Sequence, residues 1–479
     1  MNVYNEETRS NLAAHNDGIY LNQGKKPAFY IKTYGCQMND RDSEMLMGEL
    51  TRLGYEAASE ESHASLIIFN TCCVRESAEN KILGHLSRLK ARKLIEPSLM
   101  IIVCGCMTQQ ESFAQKLAKS HKYIDIILGT GNRHRIAEFI WQRLQSGKQV
   151  VDTLIEDEIY DPDTPLTTRE LPHKAGVTIM TGCDNFCSFC IVPHVRGREK
   201  SRSAEEILRE VQALADDGVK EIMLLGQNVN SYRGAMGCEQ NEAFPAEINF
   251  AELLRHVCDT PGLQRVRFMT SHPKDFSDEL IHAVRDLPKV CKAVHLPLQS
   301  GSTRILADMN RKYTKEQYLD LVARLRRAIP EVAITTDIIV AYPSETDEDF
   351  ADTLDVARQA RFDGAFMFIY SKRSGTPAAE KKEMISRAVA AERFSRLTET
   401  VYPIFEARNQ GLVGSKLDVM VEESTPGKEG LLKGRAADGT LVHFACGNGV
   451  HKISLETGSI VSVEITEAKT FYIIGRAID

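Results

Sequence analysis

Three cysteines lie close together in the segment TGCDNFCSFCIVPHVRGREKSR, which covers residues 181–202. Cys183, Cys187 and Cys190 have the spacing C-x3-C-x2-C, and a basic run follows them. Structural zinc sites usually take their thiolates from separated C-x2-C pairs, and a [4Fe-4S] cluster held fully by protein takes four cysteines. Three thiols on one loop therefore favour a cluster with one open iron, on which a small molecule can bind. A zinc knuckle and unreactive loop thiols are the alternatives.

A second set of three cysteines follows strand-like segments nearer the start of the chain. Cys36 follows AFYIKTY, Cys72 follows ASLIIFN and Cys106 follows SLMIIVC, each an apolar run of strand length. Parallel strands end at one edge of their sheet, so these thiols could converge although about 35 residues separate them in the chain. Chance burial of unrelated cysteines is the alternative, since Cys73 and Cys104 adjoin the set.

The elements that must position these cysteines predict a mixed α/β protein. Strand-like runs alternate with helical patterns over residues 27–145, which indicates a doubly wound parallel sheet. A second alternating series over residues 169–408 predicts a central partial (β/α)6 barrel. Its candidate strands are 177–182, 220–226, 265–271, 292–298, 333–340 and 365–371, and Ser203 and Thr314 begin helices with capping boxes.

The two ends and the junction of the chain have a different character. Short alternating strands with an Asp-Gly turn at 438–439 predict a small all-β barrel over residues 410–475. The polar residues 1–26 are interpreted as a mobile extension, and residues 146–168 as a linker. These boundaries complete the predicted order of domains.

Bulk composition limits the choice of partner and compartment. The chain has 479 residues and a net charge of −7, so nucleic-acid binding would need a local basic surface. We find no apolar stretch long enough to span a membrane and no signal-peptide core, which predicts a cytoplasmic protein without a membrane partner. Disulfides are rare in that compartment, so the 12 cysteines are expected to be buried thiols or metal ligands.

The C-x3-C-x2-C loop after the first barrel strand resembles the signature of radical S-adenosylmethionine enzymes. The resemblance implies that Cys183, Cys187 and Cys190 hold a [4Fe-4S] cluster whose open iron chelates S-adenosylmethionine, which is then cleaved to a 5′-deoxyadenosyl radical. DIIVAYPSET (337–346) resembles an element near the adenosine but has Ala341 and Ser344 where the family usually has glycines. The resemblance also implies cofactor contacts at the strand ends from Gly226, Gln227, Asn228, Gln299, Ser300 and Asp337.

The motifs Y-G-C-Q-M-N, N-T-C-x-V-R-E and G-C-M, before such a core and a small β barrel, resemble the methylthiotransferases. That family implies a second [4Fe-4S] cluster on Cys36, Cys72 and Cys106, whose open iron carries the sulfur that is methylated and inserted. LLGQNVNSYRG and CIVPHVRGREKSR are most similar to the branch that acts on N6-isopentenyladenosine at position 37 of tRNA, beside the anticodon. Branches that modify N6-threonylcarbamoyladenosine in tRNA or a ribosomal-protein aspartate remain open, as does a non-catalytic RNA-binding iron–sulfur protein.

The resemblance also implies partners. These are tRNA, two molecules of S-adenosylmethionine, an electron donor such as flavodoxin or ferredoxin, and a sulfur source. The terminal barrel resembles the TRAM domain, an RNA-binding module, so RNA contacts are expected there and in the basic run after the cysteine loop. Plain exposed surface is the alternative for these residues, which are Arg196, Arg198, Lys200, Arg202, Lys433 and Arg435. No catalytic acid or base is assigned, because hydrogen abstraction by a radical needs none in its first step.

Overall fold

The computed structural model describes residues 6–73, 76–154, 169, 171–237, 246–424, 431–445 and 456–478. The chain divides into two compact units. The first is Met1–Glu170 with two later segments, Thr181–Asp184 and Ile191–Glu199. The second is Leu171–Met180, Asn185–Cys190 and Lys200–Asp479. In the described part of the chain, no helix is long and apolar enough to cross a membrane.

The first unit contains the predicted doubly wound sheet. Its strands are β1 (Ala28–Thr33), β2 (Glu56–Ala57), β3 (Leu66–Thr71), β4 (Met100–Gly105), β5 (Ile126–Leu128) and β6 (Val150–Asp152). All pair in parallel in the order β2-β1-β3-β4-β5-β6. Its first helices are α1 (Glu6–Gln23), α2 (Gln37–Arg52), α3 (Glu76–Ile95), α4 (Glu111–Ser120) and α5 (Ile136–Ser146). Successive residues of β3, such as Ile67 and Ile68, enter separate apolar cores, which shows that both faces of the sheet are covered.

Helix α1 corrects the prediction that residues 1–26 are a mobile extension. Leu12 is fully buried in one of the two cores, and Arg9 donates to both carboxylate oxygens of Glu49 at 2.8 and 3.0 Å. Asn16 Nδ2 donates to Leu53 O at 2.8 Å. Polar residues make most of these contacts, so apolar periodicity does not reveal the docking. The prediction of a linker over residues 146–168 is corrected at Val150–Asp152, which form strand β6. Residues 155–168 lie outside the described part of the chain.

The second unit confirms the six predicted strands of the partial barrel. The strands that follow in the chain are β7 (Lys174–Thr178), β8 (Met180–Thr181), β9 (Lys200–Ser201), β10 (Glu221–Leu225), β11 (Arg233–Met236), β12 (Ala246–Asn249), β13 (Arg265–Phe268), β14 (Ala293–His295), β15 (Ala333–Val340) and β16 (Gly364–Ile369). Parallel sheets β13-β10-β7 and β14-β15-β16 carry the barrel strands, and β11 pairs with β12 as a hairpin.

Eight α-helices follow in the part of the chain that the structure describes. They are α6 (Val192–Val195), α7 (Ala204–Asp216), α8 (Phe250–Asp259), α9 (Asp278–Asp286), α10 (Thr303–Asp308), α11 (Lys315–Ala328), α12 (Asp347–Ala360) and α13 (Arg387–Gln410). Helix α6 belongs to the first unit, and α7 and α11 begin at the predicted caps Ser203 and Thr314. Thr314 and Gln317 form the predicted capping box of α11, with each side chain bonded to the other residue's backbone N–H. At α7, Ser203 accepts from Glu206 N, which is the first half of the predicted box.

The predicted terminal barrel is closed and belongs to the second unit. Its strands are β17 (Lys416–Ser424), β18 (Leu431–Ala436), β19 (Leu441–Ala445), β20 (Ile460–Ala468) and β21 (Ile473–Ala477), in the order β17-β18-β19-β21-β20. It packs against the first residues of β7 and β13. Lys174 Nζ lies 2.5 Å from Glu422 Oε1, and Arg265 donates to Asp418 O and Arg435 O, both at 2.8 Å.

Candidate functional site

The first unit brings the three cysteines of the N-terminal set to one edge of its sheet. Cys36 follows β1 and precedes α2, Cys72 follows β3, and Cys106 follows β4. These three strands are neighbours and parallel. Cys106 N donates to Thr71 O at 2.9 Å, which joins two of the three loops. The strand ends that carry these cysteines therefore lie side by side at one edge of the sheet.

Two glycines explain how the cysteine loops come so close together. Gly35 has φ +133, and a Cβ built on it would lie 2.6 Å from Cys72 Cβ. Gly105 has φ +103, and a Cβ there would lie 2.4 Å from Thr71 O. Side chains other than hydrogen are excluded by both the backbone conformation and the contact distance. The glycines of Y-G-C and G-C-M thus allow direct backbone packing beside the thiols.

A buried polar network lies behind this set of thiols. Asn39 Nδ2 donates to Tyr34 O at 2.8 Å and Thr71 O at 3.0 Å, which fixes the start of α2. Asn39 Oδ1 accepts from Arg196 Nη2 at 3.0 Å. Asp42 Oδ2 accepts from Arg196 at 2.7 Å. The network brings a positive charge next to the cysteines.

The electrostatics of Cys106 favour its thiolate. A hydrogen bond from Cys73 is the main cause that lowers the pKa of Cys106 to about 6, and Arg196 acts in the same direction while burial opposes both. Cys73 itself is buried, and it packs with Cys106, Ile191 and Val195 in a small apolar cluster. Because the thiolate is the form that ligates metal, this environment suits an iron ligand.

The chemistry of the donor set suits an iron–sulfur cluster. Such a cluster takes cysteine thiolates as ligands, one on each iron of the cube. The three loops supply Cys36, Cys72 and Cys106, and the Arg196 guanidinium lies in the buried network behind them.

The central cysteine loop is held differently along its length. In the first unit, Cys183 N donates to Gly197 O at 3.3 Å. In the second unit, Cys190 N donates to Cys187 O at 2.9 Å, and Cys187 is buried. Arg311 Nη1 lies 3.6 Å from Cys187 Sγ. This contact places a fixed positive charge beside the sulfur of the cysteine loop.

Unpaired oxygens mark the ends of two neighbouring barrel strands. Gln227 Oε1 and Asn228 Oδ1 follow β10, and Ser271 Oγ follows β13. All three atoms are buried, and none has a hydrogen-bond partner within the described residues. A buried acceptor without a partner costs about 1–3 kcal/mol, so such atoms need an explanation. A bound molecule with polar hydrogens, such as the amino group of S-adenosylmethionine, would supply the missing partners.

Other predicted cofactor residues have distinct environments. A Cβ on Gly226 would lie 2.5 Å from Met180 Cγ, so that glycine is needed for packing at the end of β10. Gln299 has φ 68, and its N–H donates to Asp337 O at 2.8 Å. The Asp337 carboxylate lies 3.4 Å from His295 Nε2 and is partly exposed. Ser300 is fully buried, and its hydroxyl accepts from Ser302 N at 3.2 Å.

Comparison with known proteins identifies the family. Residues 177–357 match the Radical SAM superfamily, and residues 28–129 match the uncharacterized protein family UPF0004. The tRNA-2-methylthio-N(6)-dimethylallyladenosine synthase of Clostridium perfringens (strain 13 / Type A) is 47% identical over 458 residues, which are 96% of this chain and 99% of that protein. The chain belongs to the tRNA-2-methylthio-N(6)-dimethylallyladenosine synthase family.

A second member of the synthase family supports the assignment. The synthase of the same name from Caldicellulosiruptor saccharolyticus is 47% identical over 464 residues, covering 97% of this chain and 95% of the relative. Among solved structures, a radical S-adenosylmethionine methyltransferase from Kitasatospora setae has a TM-score of 0.49 at 13% identity, with 74% of each chain covered. The Radical SAM match confirms the predicted class of the core, with an iron–sulfur cluster and S-adenosylmethionine as its cofactors.

The basic run after the cysteine loop divides into buried and exposed residues. Arg196 and Arg202 correct the prediction of RNA contacts: Arg196 is buried against Asp42, and Arg202 pairs with Glu210 at 2.6 Å. Arg198 is exposed beside Asp184 at 2.9 Å, and Lys200 is exposed as well. Of this run, Arg198 and Lys200 are the residues that a synthase could present to RNA.

The basic residues of the terminal barrel are paired with acidic neighbours. Lys433 pairs with Glu423, and Arg435 Nε lies 3.3 Å from Glu422. These pairs reduce the local positive charge that the prediction of RNA binding at Lys433 and Arg435 needed. An RNA phosphate that contacts Lys433 or Arg435 would have to compete with the carboxylates of Glu423 and Glu422.

Three residues next to the predicted thiols were missed by sequence reasoning. Asn39 is the last residue of the Y-G-C-Q-M-N motif, so its position in the motif of Cys36 could have identified it from the sequence. Asp42 and Arg311 lie on a helix and in a turn with no distinctive local pattern, although Arg311 follows the C-terminal end of α10. Only the fold brings them to the cysteines.

Proposed function

We propose that the protein methylthiolates C2 of N6-isopentenyladenosine at position 37 of tRNA. The product is 2-methylthio-N6-isopentenyladenosine. The observation that carries the proposal is the 47% identity to a synthase named for this product over 96% of the chain. The two sets of three cysteines at strand ends support it, because each set leaves a fourth ligand position of a cubane open.

Each set of cysteines has its own role in the proposal. Cys183, Cys187 and Cys190 hold the cluster that works with S-adenosylmethionine, and Cys36, Cys72 and Cys106 hold a second one. Together with two molecules of S-adenosylmethionine, these groups supply the methyl group, the 5′-deoxyadenosyl radical and the inserted sulfur. Arg196 and Cys73 keep Cys106 in its thiolate form, as its lowered pKa indicates.

The remaining proposed roles concern binding. Gln227 and Asn228, whose side-chain oxygens lack partners among the described residues, bind the polar end of S-adenosylmethionine. Gly226 leaves room at the strand end, and Gln299 and Asp337 form a second edge of the cofactor site. Arg198 and Lys200 contact RNA phosphates. An electron donor such as flavodoxin or ferredoxin, a sulfur source and a cytoplasmic location belong to the same proposal.

Three domains are proposed, whereas the second described unit holds both the core and the terminal barrel, and the boundary of the N-terminal domain also changes at one place. Residues 27–145 form the methylthiotransferase N-terminal domain, 169–408 the radical S-adenosylmethionine core, and 410–475 the TRAM domain. The change is that Thr181–Asp184 and Ile191–Glu199 pack with the N-terminal unit although they lie within the core in sequence.

A direct test uses anaerobically reconstituted protein, dithionite, S-adenosylmethionine and isopentenylated tRNA. We expect 2-methylthio-N6-isopentenyladenosine in the digested tRNA and 5′-deoxyadenosine in solution, both detected by mass spectrometry. About eight irons per chain are expected if both cubanes are loaded. Cys183→Ala should abolish both products, whereas Cys106→Ala should abolish the methylthio product alone.

The control is Cys258→Ala, since Cys258 is buried in α8 and has no proposed role. It should leave both products in place. A mass gain only on threonylcarbamoylated tRNA or on the ribosomal protein would overturn the choice of substrate. Iron-loaded protein that makes no 5′-deoxyadenosine would show that the protein is not this enzyme.

A further inference from the structure

Arg311 is a buried cation with an unusual set of partners. Its Nε donates to Tyr313 Oη at 3.0 Å and its Nη2 donates to Pro297 O at 2.8 Å. Its Nη1 donates to Cys187 Sγ at 3.6 Å. Within the described residues, no carboxylate pairs with this guanidinium, although other buried arginines such as Arg196 and Arg393 have one.

A buried guanidinium needs a negative charge nearby. Transfer of an unpaired ion out of water is very costly, so buried charges are normally paired or bound to a metal centre. Among the partners of Arg311, Cys187 supplies the sulfur, and a cysteine that ligates iron does so as a negatively charged thiolate.

The turn that carries Arg311 is built onto the cysteine loop. Ser188 Oγ donates to Asp308 O at 2.8 Å, and Ser188 N donates to Met309 O at 3.0 Å. Asn310, which has φ 59, donates through Nδ2 to Phe186 O at 2.9 Å and Asn185 O at 3.2 Å. These four bonds join residues 308–310 to residues 185–188, so the distance between Arg311 and Cys187 is fixed by the fold.

We propose that Arg311 is a positioning residue that stabilises the reduced form of the iron–sulfur cluster bound through Cys187. This inference rests on the proposed ligand role of Cys187. Reduction adds one electron to the cluster from the electron donor and makes it more negative. An N–H donor on the ligating sulfur and a fixed positive charge both stabilise that extra charge, since hydrogen bonds to sulfur set cluster potentials.

The test measures the midpoint potential of the cluster in the full-length, reconstituted protein. The measurement uses the electron paramagnetic resonance spectrum of the reduced protein. Only the part of the spectrum that changes on addition of S-adenosylmethionine is followed, because that part belongs to the cluster that binds S-adenosylmethionine. In Arg311→Gln we expect a reduced-to-oxidised ratio about tenfold lower at a fixed ambient potential, a shift of about 59 mV to more negative values for one electron. Arg311→Lys keeps the charge and should shift less.

Arg265→Gln is the matched control. Arg265 is also buried and donates to backbone carbonyls, but it lies at the first residue of β13, against the terminal barrel. Its substitution should leave the potential unchanged. A wild-type potential in iron-loaded Arg311→Gln would overturn the proposal. If that variant does not fold, a wild-type potential in the neutral variant Arg311→Met would do so.

The proposed function and this inference fail differently. Wild-type protein that takes up no S-adenosylmethionine-sensitive cluster would contradict the ligand role of Cys187 itself. A normal cluster whose midpoint potential is the same in the wild type and in Arg311→Gln would contradict only the proposed role of Arg311.

Discussion

At the scale of single residues, Ala341 and Ser344 have backbone conformations that favour glycine. Their φ angles are 59 and 70, and the radical S-adenosylmethionine enzymes that this sequence resembles usually have glycine at both positions. An L-residue in the left-handed region pays about 1–2 kcal/mol because its Cβ crowds the backbone.

We therefore predict that Ala341→Gly stabilises the protein by ~1 kcal/mol, since removal of the Cβ relieves more strain than the added freedom of the unfolded chain costs. Chemical denaturation of the metal-free protein measures the change. Ala391→Gly is the matched control: Ala391 is exposed in helix α13, where glycine should destabilise by ~1 kcal/mol. If both variants change the free energy of unfolding in the same direction, the inference of backbone strain at Ala341 is contradicted.

At the scale of elements, helix α1 shows what docks the first residues of the chain. Leu12 is 0% exposed and Leu21, on the same helix, is 81% exposed. Leu12→Ala should lower the free energy of unfolding of the first unit by about 3 kcal/mol, because it removes buried methyl groups and leaves a cavity. Leu21→Ala, followed in the same urea titration, should have little effect. Similar small effects from both would favour a loosely held helix.

The same element shows where sequence reasoning succeeds and where it stops. β3 and β4 were predictable because LIIFNT and MIIVCG are apolar, β-branched runs that a buried parallel strand requires. Helix α1 was not, because Arg9 and Asn16 dock through specific hydrogen bonds that leave no apolar period. The cysteines of the site were predictable from spacing. The charges beside them depend on the three-dimensional fold, because Asp42 meets Arg196 across 154 positions of the chain and Arg311 meets Cys187 across 124.

At the scale of the whole molecule, a buried charge cluster seats the terminal barrel on the core. Lys174 contacts Glu422 at 2.5 Å and Glu221 at 3.1 Å, and Arg267 Nε contacts Glu221 at 3.0 Å. In Lys174→Gln, the buried carboxylate of Glu422 loses its lysine partner. The free energy of unfolding should therefore fall by about 3 kcal/mol. Limited proteolysis should then release a fragment that contains residues 416–477.

Lys469→Gln provides the comparison for this cluster, because Lys469 pairs with Glu467 at the exposed surface. Exposed pairs contribute little to stability, so the stability and the cleavage pattern of this variant should match the wild type. Equal proteolysis of the Lys174 and Lys469 variants would show that the charge cluster does not hold the barrel in place.

The assignment of Ile191–Glu199 to the first unit has a consequence for how the chain is made. Val195 O accepts from Thr130 Oγ1 at 2.5 Å, and Arg196 pairs with Asp42. Domains generally fold as units during synthesis, starting from the N-terminus. Here the N-terminal sheet cannot gain its last contacts until residue 199 has left the ribosome, by which time the first strand of the next unit, β7, has emerged. Part of the second unit is therefore synthesised before the last residues of the first unit.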